Sequence, residues 1–380
     1  MIEQVATEAG SGRKGMLMLH LLGRCNLSCL HCYMEGSPSR REVLPLDWVL
    51  KAIAECEPLG IGSLYVTGGE PLLYRGLSDV LTAAASVPGL IVTVCTNATL
   101  LTQRHARFFR ELGLSLNVSI DGEPDFHDRF RNRPGAFRAA ERGVQLASEV
   151  GIKVNIVSTI SQLNLHSLPS IVQWAAGSGA VEFRVQPLLK LGRGEQIADQ
   201  RLTPTQMNLL YLQLSDLANR HRSSLRCSLI GLSRRFALAH PCGAYVCNGE
   251  RCHRRVAKEI KKLVVRENGT VLPEVTNLHR SFALGSIEDG PLSKLVDRYF
   301  KDGYQRFDQL CRTAYAEVLP NWPTNIVPWD QILAERSRSW RPISGRLLPD
   351  PDCSARIQDR CVPSGIESPE LESLVERLSQ

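Results

Sequence analysis

No stretch of this 380-residue chain approaches the ~18 uninterrupted apolar residues that a membrane-spanning helix requires, which argues for a soluble protein. Met1 to Lys14 holds Glu3, Glu8, Gly10 and Gly12 and lacks a basic start followed by an apolar stretch. That excludes a secretory signal and sets the expectation of a cytoplasmic protein. There is no Ser/His/Asp arrangement, no P-loop and no His-Glu-x-x-His, and internal repeats are absent. Charge of one sign is scarce too: a net +6 is mild for the length and does not by itself indicate nucleic acid. The densest basic segment is Arg251, Arg254, Arg255, Lys258, Lys261, Lys262 and Arg266. No aromatics interleave with it, so stacking on single strands has no support. It reads as a solvated face or as a site for an acidic leader peptide or phosphorylated substrate.

Cysteine, by contrast, is plentiful at 12. In a reducing compartment so many thiols are not expected to be disulfides. Their grouping as Cys25/Cys29/Cys32 and Cys242/Cys247/Cys252 argues for metal or cluster ligation, while Cys56, Cys95 and Cys227 stand alone as core residues. The first group is the informative one, because it holds three thiols and not four. A structural zinc site wants four closed ligands, whereas three thiolates on a short loop can hold an iron–sulfur cluster and leave one iron open. On spacing alone, a zinc loop completed by His31 or a distant Cys stays open as an alternative.

An apolar run at 16–22 reads as a buried strand that delivers the chain into this loop. Helical and extended patterns then alternate: helix 46–57, strand 63–66, helix 77–85, strand 91–95, helix 103–112, strand 114–120, helix 136–150, strand 152–159, helix 166–176 and strand 181–185. Six β/α units imply parallel pairing with right-handed crossovers, in an open doubly wound sheet or an incomplete β/α barrel. In both, the active face lies at the C-terminal ends of the strands. A helix at 203–221, with Thr203 as N-cap and Pro204 first, closes this domain. Residues 222–320, richer in Cys and basic residues, have extended pieces at 262–266 and 270–272 around an Asn268-Gly269 turn and should form a smaller domain. Residues 321–380, dense in Pro, Arg and Ser, should wrap the surface or stay partly disordered until a final helix from Ser368-Pro369. The expected division is an extension at 1–15, then 16–221, 222–320 and a tail at 321–380.

The string Cys25-Asn26-Leu27-Ser28-Cys29-Leu30-His31-Cys32-Tyr33, set after an apolar strand, resembles the cluster loop of radical S-adenosylmethionine (SAM) enzymes. The likeness continues in chain order with Thr67-Gly68-Gly69-Glu70-Pro71 after the second strand and Thr96-Asn97-Ala98 after the third, where Ala98 replaces a usual Gly. Ser119-Ile120-Asp121-Gly122 follows the fourth strand, then His127-Asp128-Arg129-Phe130-Arg131 with Gly135-Ala136-Phe137, and Val185-Gln186-Pro187 with Gly192-Arg193-Gly194 after the sixth. The resemblance covers residues 16–194 and implies a partial (β/α)6 TIM-type barrel. It implies a [4Fe-4S] cluster on Cys25, Cys29 and Cys32, with SAM on the open iron. It further implies SAM contacts from Tyr33, Gly68, Gly69, Glu70, Pro71, Asn97, Ser119 and Asp121. Among these, Gly-Gly-Glu-Pro would hold the amino group, and the Ser and Asp would reach the ribose or carboxylate. Arg131 is either a carboxylate binder or a surface residue.

Relatives often carry a C-terminal SPASM or shortened twitch domain with auxiliary clusters. Here Cys242, Cys247 and Cys252 offer three thiolates that Cys311, Cys353 or Cys361 can complete, but Glu274 stands where the pattern has a Cys. A degenerate SPASM/twitch-like α+β domain with an auxiliary iron–sulfur cluster is the expectation, with zinc or free thiols as alternatives. The resemblance implies reductive cleavage of SAM to methionine and a 5′-deoxyadenosyl radical that modifies or cross-links a ribosomally made peptide. The alternative substrate is a small molecule such as a tetrapyrrole, a sugar or a cofactor precursor. From another class, a zinc-binding interaction protein is the competing reading. Implied partners are a flavodoxin- or ferredoxin-type electron donor and, since only residues 1–15 precede the first strand, a separate leader-peptide recognition protein.

Overall fold

In the computed structural model, which describes residues 15–246 and 261–340, the apolar run becomes the interior strand Gly15–His20 (β1). Alternation places Leu17 and Leu19 in the main core, while Met16, Met18 and His20 face the other side of the sheet. There follow α1 (Leu46–Ala54), β2 (Ile61–Thr67), α2 (Leu77–Ser86), β3 (Ile91–Thr96), α3 (Gln103–Glu111) and β4 (Ser115–Ser119). Next come α4 (Pro124–Phe130), α5 (Ala136–Glu149), β5 (Lys153–Ile160), α6 (Leu168–Gly177), β6 (Glu182–Pro187) and α7 (Pro204–Arg220). Each of β1 to β6 pairs in parallel with the next in chain order. A doubly wound sheet reverses its strand order at a switch point. The monotonic order here has none, so the fold is a partial (β/α)6 barrel.

The helices dock by apolar stripes, Val49, Ala52 and Ile53 on α1 and Ala136, Ala140, Val144 and Ala147 on α5. α7 begins as its sequence dictates. Thr203 accepts from the Gln206 N–H, the Gln206 side chain accepts from the Thr203 N–H, and Pro204 sits at the first helical position. The helix α4 and the strand β7 (Arg226–Leu229), which pairs in parallel with β6, were not expected. Both are short and polar enough to carry little periodic signal.

After β8 (Leu232–Ser233) and α8 (Arg234–Ala239), the strands β9 (Lys262–Val265) and β10 (Thr270–Pro273) form the expected hairpin around Asn268-Gly269. β9 also lies parallel beside β1, and β11 (Gly285–Ser286) pairs with β10. Residues expected in a separate small domain therefore continue the barrel sheet, in the order β11-β10-β9-β1-β2-β3-β4-β5-β6-β7. The reason is local: Leu263, Val264 and Val265 are apolar in succession and all buried, which suits a strand with neighbours on both edges.

Helices Leu292–Arg298 and Tyr304–Val318 follow, joined by a π-helical turn at Tyr299–Gly303. The Pro-rich stretch does not start by trailing over the surface. β12 (Ile326–Val327) pairs with β8, and helix Trp329–Ser339 buries Trp329, Ile332, Leu333 and Ala334. The helix expected from Ser368 lies outside the described residues. No helix among the described residues is long and apolar enough to cross a membrane.

Candidate active site at the mouth of the barrel

The loop after β1 gathers its cysteines into one patch. Cys25 and Cys29 are each 7 % exposed, Leu27 packs with them, and the half-buried Cys32 lies against the group. Among the described residues, no three or more His, Cys, Asp or Glu converge closely enough to hold a single metal ion. In a cubane cluster each thiolate takes its own iron, so three thiols spread round a common patch fit such a group, with one iron left for another ligand. Burial pushes the Cys25 thiol up to about 12, with the nearby Glu70 carboxylate adding to the rise. Burial raises the Cys29 thiol as well, and the Arg131 guanidinium opposes that rise. Binding iron must therefore displace protons from these thiols.

Two backbone segments grip the loop. At the end of β2, the Gly69 N–H donates to the Leu22 carbonyl at 2.6 Å and the Glu70 N–H to the Arg24 carbonyl at 2.9 Å. A Cβ on Gly69 would stand 2.1 Å from the Arg24 carbonyl oxygen, so no larger residue fits. From beyond β6, the Arg193 N–H donates to the Cys32 carbonyl at 3.1 Å. Its Nε donates to the Cys29 carbonyl at 2.7 Å and its Nη2 to the Gly36 carbonyl at 2.8 Å. Gly192 takes φ +56°, with Cβ space only 2.6 Å from the Cys32 carbonyl oxygen. Together these contacts hold the loop at five carbonyls, those of Leu22, Arg24, Cys29, Cys32 and Gly36.

Two of the expected SAM contacts, the carboxylates of Glu70 and Asp121, are hydrogen-bonded to protein donors. Glu70 is fully buried: Oε1 accepts from the Thr96 hydroxyl at 2.7 Å and the Leu72 N–H at 3.2 Å, and Oε2 accepts from the Asn97 N–H at 2.9 Å. Burial raises its pKa against these donors. Asp121 is also fully buried, with Oδ1 accepting from the Thr159 N–H at 2.8 Å and Oδ2 from Arg131 Nε at 2.6 Å. Burial alone would raise it, but Arg131 holds it below the usual carboxylate range. Both side chains brace neighbouring loops, and each carboxylate, with about four acceptor positions, keeps acceptor capacity beyond these protein donors.

Asn97 is buried beside the loop, its Nδ2 donating to Asn26 Oδ1 at 2.9 Å and lying 3.8 Å from Cys25 Sγ. Asn26 in turn donates to the Thr99 hydroxyl at 2.8 Å. Ala98 takes φ +56°, a backbone state natural to the glycine it replaces. Pro71 is buried and opens a short 3₁₀ turn, Gly68 lies beside the loop with φ +137°, and Ser119 is half-buried at the end of β4. Tyr33 is half-buried, edge-on to the His20 ring at 6.2 Å, and burial pushes its phenol above the ordinary range.

Arg131 is not a surface residue, and the carboxylate it binds is that of Asp121. It is buried, and its Nη1 lies 3.7 Å from Cys29 Sγ. This residue, Arg193, Asn26 and Thr99 are site residues whose contacts sequence reasoning missed; a polar side chain between two loop cysteines was the only local signal for Asn26. Below the patch, the sheet face opposite the main core is polar. Thr93 and Ser115 share a hydroxyl bond at 2.9 Å, Asn155 donates to Asn117 at 2.9 Å, and Glu182 accepts from Arg184, Arg226 and Ser228. Of the second cysteine group, Cys242 lies in the turn Pro241–Ala244, and Cys247 and Cys252 lie outside the described residues, as do Cys353 and Cys361. Cys311 is fully buried on helix Tyr304–Val318.

The radical SAM superfamily model matches residues 19–175. Fe-coproporphyrin III synthase of Methanosarcina barkeri is 31% identical over 193 residues, 50% of this chain and 48% of that protein. The sporulation killing factor maturation protein SkfB of Bacillus subtilis is 31% identical over 180 residues, 47% of this chain and 43% of that protein. The chain thus spans about half the length of the curated relatives it matches. In fold it is similar to Streptococcus suis SuiB bound to the precursor peptide SuiA, with a TM-score of 0.62 at 15% identity over 78% of this chain and 67% of that one.

Proposed function

Residues 19–175 belong to the radical SAM superfamily, and from that premise we propose that the protein cleaves SAM reductively and modifies a ribosomally made peptide. Cys25, Cys29 and Cys32 would hold a [4Fe-4S] cluster. The chemistry supplied by cluster and SAM when bound is one-electron cleavage to methionine and a 5′-deoxyadenosyl radical. The chain's own residues position and shield. Gly68-Gly69 and Arg193 set the loop, and Leu27 packs with the cysteines to keep the patch dry. The Gly68-Gly69-Glu70-Pro71 segment, with Tyr33, Asn97, Ser119 and Asp121, would be the surface offered to SAM, and Glu70 and Asp121 also brace the loops that carry it. The observation that carries this reading is the three-thiol patch gripped from both sides at the C-terminal mouth of the barrel strands.

The peptide substrate is supported by two findings. Among the described residues the ten-strand sheet ends at β11 and β7 without closing on itself, as the entry of an extended chain between its edges would require. One relative is named as a maturation protein. The reading requires a flavodoxin- or ferredoxin-type electron donor, a separate leader-peptide recognition protein and a reducing cytoplasm. It includes an auxiliary iron–sulfur cluster at Cys242, Cys247 and Cys252 in a degenerate SPASM/twitch-like region.

A second reading, a tetrapyrrole or other small-molecule substrate, is favoured by the equal identity to the Methanosarcina barkeri relative and by the polar floor of the barrel. The test incubates the anaerobically reconstituted protein with SAM, reductant and the short peptides encoded beside its gene. The expected result is a change in peptide mass. Turnover of a tetrapyrrole with every peptide unchanged would overturn the peptide reading.

A further inference from the structure

The guanidinium of Arg131 reaches the patch from the C-terminal end of α4, where its backbone N–H donates to the His127 carbonyl at 2.8 Å. The side chain is aimed by Asp121, 2.6 Å from Arg131 Nε. Asp121 is itself immobilised, its Oδ1 by the Thr159 N–H, its backbone N–H donating to His127 Nδ1 at 3.2 Å, and its carbonyl accepting from Asn164 Nδ2 at 2.6 Å. So held, Arg131 Nη1 points at Cys29 Sγ from 3.7 Å. Among the described residues, the donors that Cys25 Sγ meets are neutral, the Leu27 N–H at 3.4 Å and Asn97 Nδ2 at 3.8 Å. His31 Nε2 stands 3.7 Å from Asp121 Oδ2, with its ring stacked on Phe130 at 4.1 Å.

Resting on the assignment of Cys25, Cys29 and Cys32 as cluster ligands, we infer that Arg131 is a positioning residue that raises the reduction potential of the cluster through a cationic hydrogen bond to the Cys29 sulfur. Reduction adds an electron's charge to the cluster. A cation and an N–H on a ligand sulfur favour that state, most strongly where the surroundings exclude water. Asp121 has the opposite electrostatic sign: it aims the guanidinium and offsets part of its field.

The role therefore predicts potential shifts of opposite sign. In a redox titration of the reconstituted protein without SAM, followed by electron paramagnetic resonance, Arg131→Gln should shift the potential negative and Asp121→Asn positive. Arg131→Lys, which keeps the charge, should stay nearer wild type than Arg131→Gln. A purely structural role moves iron content or melting temperature without this pattern. Shifts of the same sign, or none, in the two variants would overturn the inference. If Asp121→Asn fails to retain iron, equal potentials for the Gln and Lys variants of Arg131 overturn it. A wild-type chain that takes up no iron would overturn the ligand assignment itself, and the role of Arg131 with it.

Discussion

Replacing Glu274 by Gln should stabilise the fold above neutral pH and change it little in acid. Glu274 follows β10 at φ +55° and is only 8 % exposed. Its Oε1 accepts from the Lys261 N–H at 2.9 Å, while Oε2 is buried with no hydrogen-bond partner among the described residues. Tyr245, Tyr299, Phe300 and Phe307 wall the cleft around it. Burial pushes the carboxyl from its ordinary 4.5 up to about 7, against the pull of the Lys261 N–H and of the Lys261 and Lys262 charges. Between those two values the folded chain keeps a proton that the unfolded chain has released. Its stability therefore falls as pH rises through that window. At ~1.4 kcal/mol per pH unit, the accumulated cost reaches about 3 kcal/mol above neutrality. Gln keeps the acceptor for Lys261 and carries no charge, so it escapes that cost. Urea unfolding of both proteins from about pH 5 to about pH 8 measures the difference directly. The expected gap widens by about 3 kcal/mol across the range and is flat above it. A gap that does not change with pH would refute the account of this carboxyl.

Gly69→Ala should abolish iron uptake, because its Cβ would lie 2.1 Å from the Arg24 carbonyl oxygen and push the cysteine loop out of place; wild-type iron content after reconstitution would contradict this. His20→Phe should raise unfolding stability in urea by about 1–3 kcal/mol, since both ring nitrogens of His20 are buried with no hydrogen-bond partner among the described residues and burial already pushes its pKa down to about 3. A loss of stability in that variant would show that His20 has partners the structure does not reveal.

The barrel was legible in the alternation of apolar strands with amphipathic helices, and the site in the order of its loops. Cys25 to Tyr33, Gly68 to Pro71 and Gly192 to Gly194 meet because each follows a strand of one parallel sheet. Pairings between distant segments left no local trace. The docking of β9 on β1 joins Met16–Leu19 to Lys262–Val265, far apart in sequence, and nothing in residues 262–265 names that partner. The helix Trp329–Ser339 was hidden for another reason: Pro320, Pro323 and Pro328 dominate the reading of a stretch whose Trp329, Ile332 and Leu333 keep a helical spacing. At Glu70 and Asp121 the motif suggests a ligand contact, but the donors that also hold each carboxylate, Thr96 and Asn97 on one and Thr159 and Arg131 on the other, come from distant segments that leave no local trace.

The central claim, that the three loop thiols carry a SAM-cleaving cluster, is tested most directly by measuring 5′-deoxyadenosine after anaerobic reconstitution with iron and sulfide and reduction in the presence of SAM. The account predicts deoxyadenosine from the wild-type protein and none once Cys25→Ala, Cys29→Ala and Cys32→Ala are combined. Cleavage should survive the combined Cys242→Ala, Cys247→Ala and Cys252→Ala changes. A colourless wild-type protein that binds zinc and leaves SAM intact would contradict it.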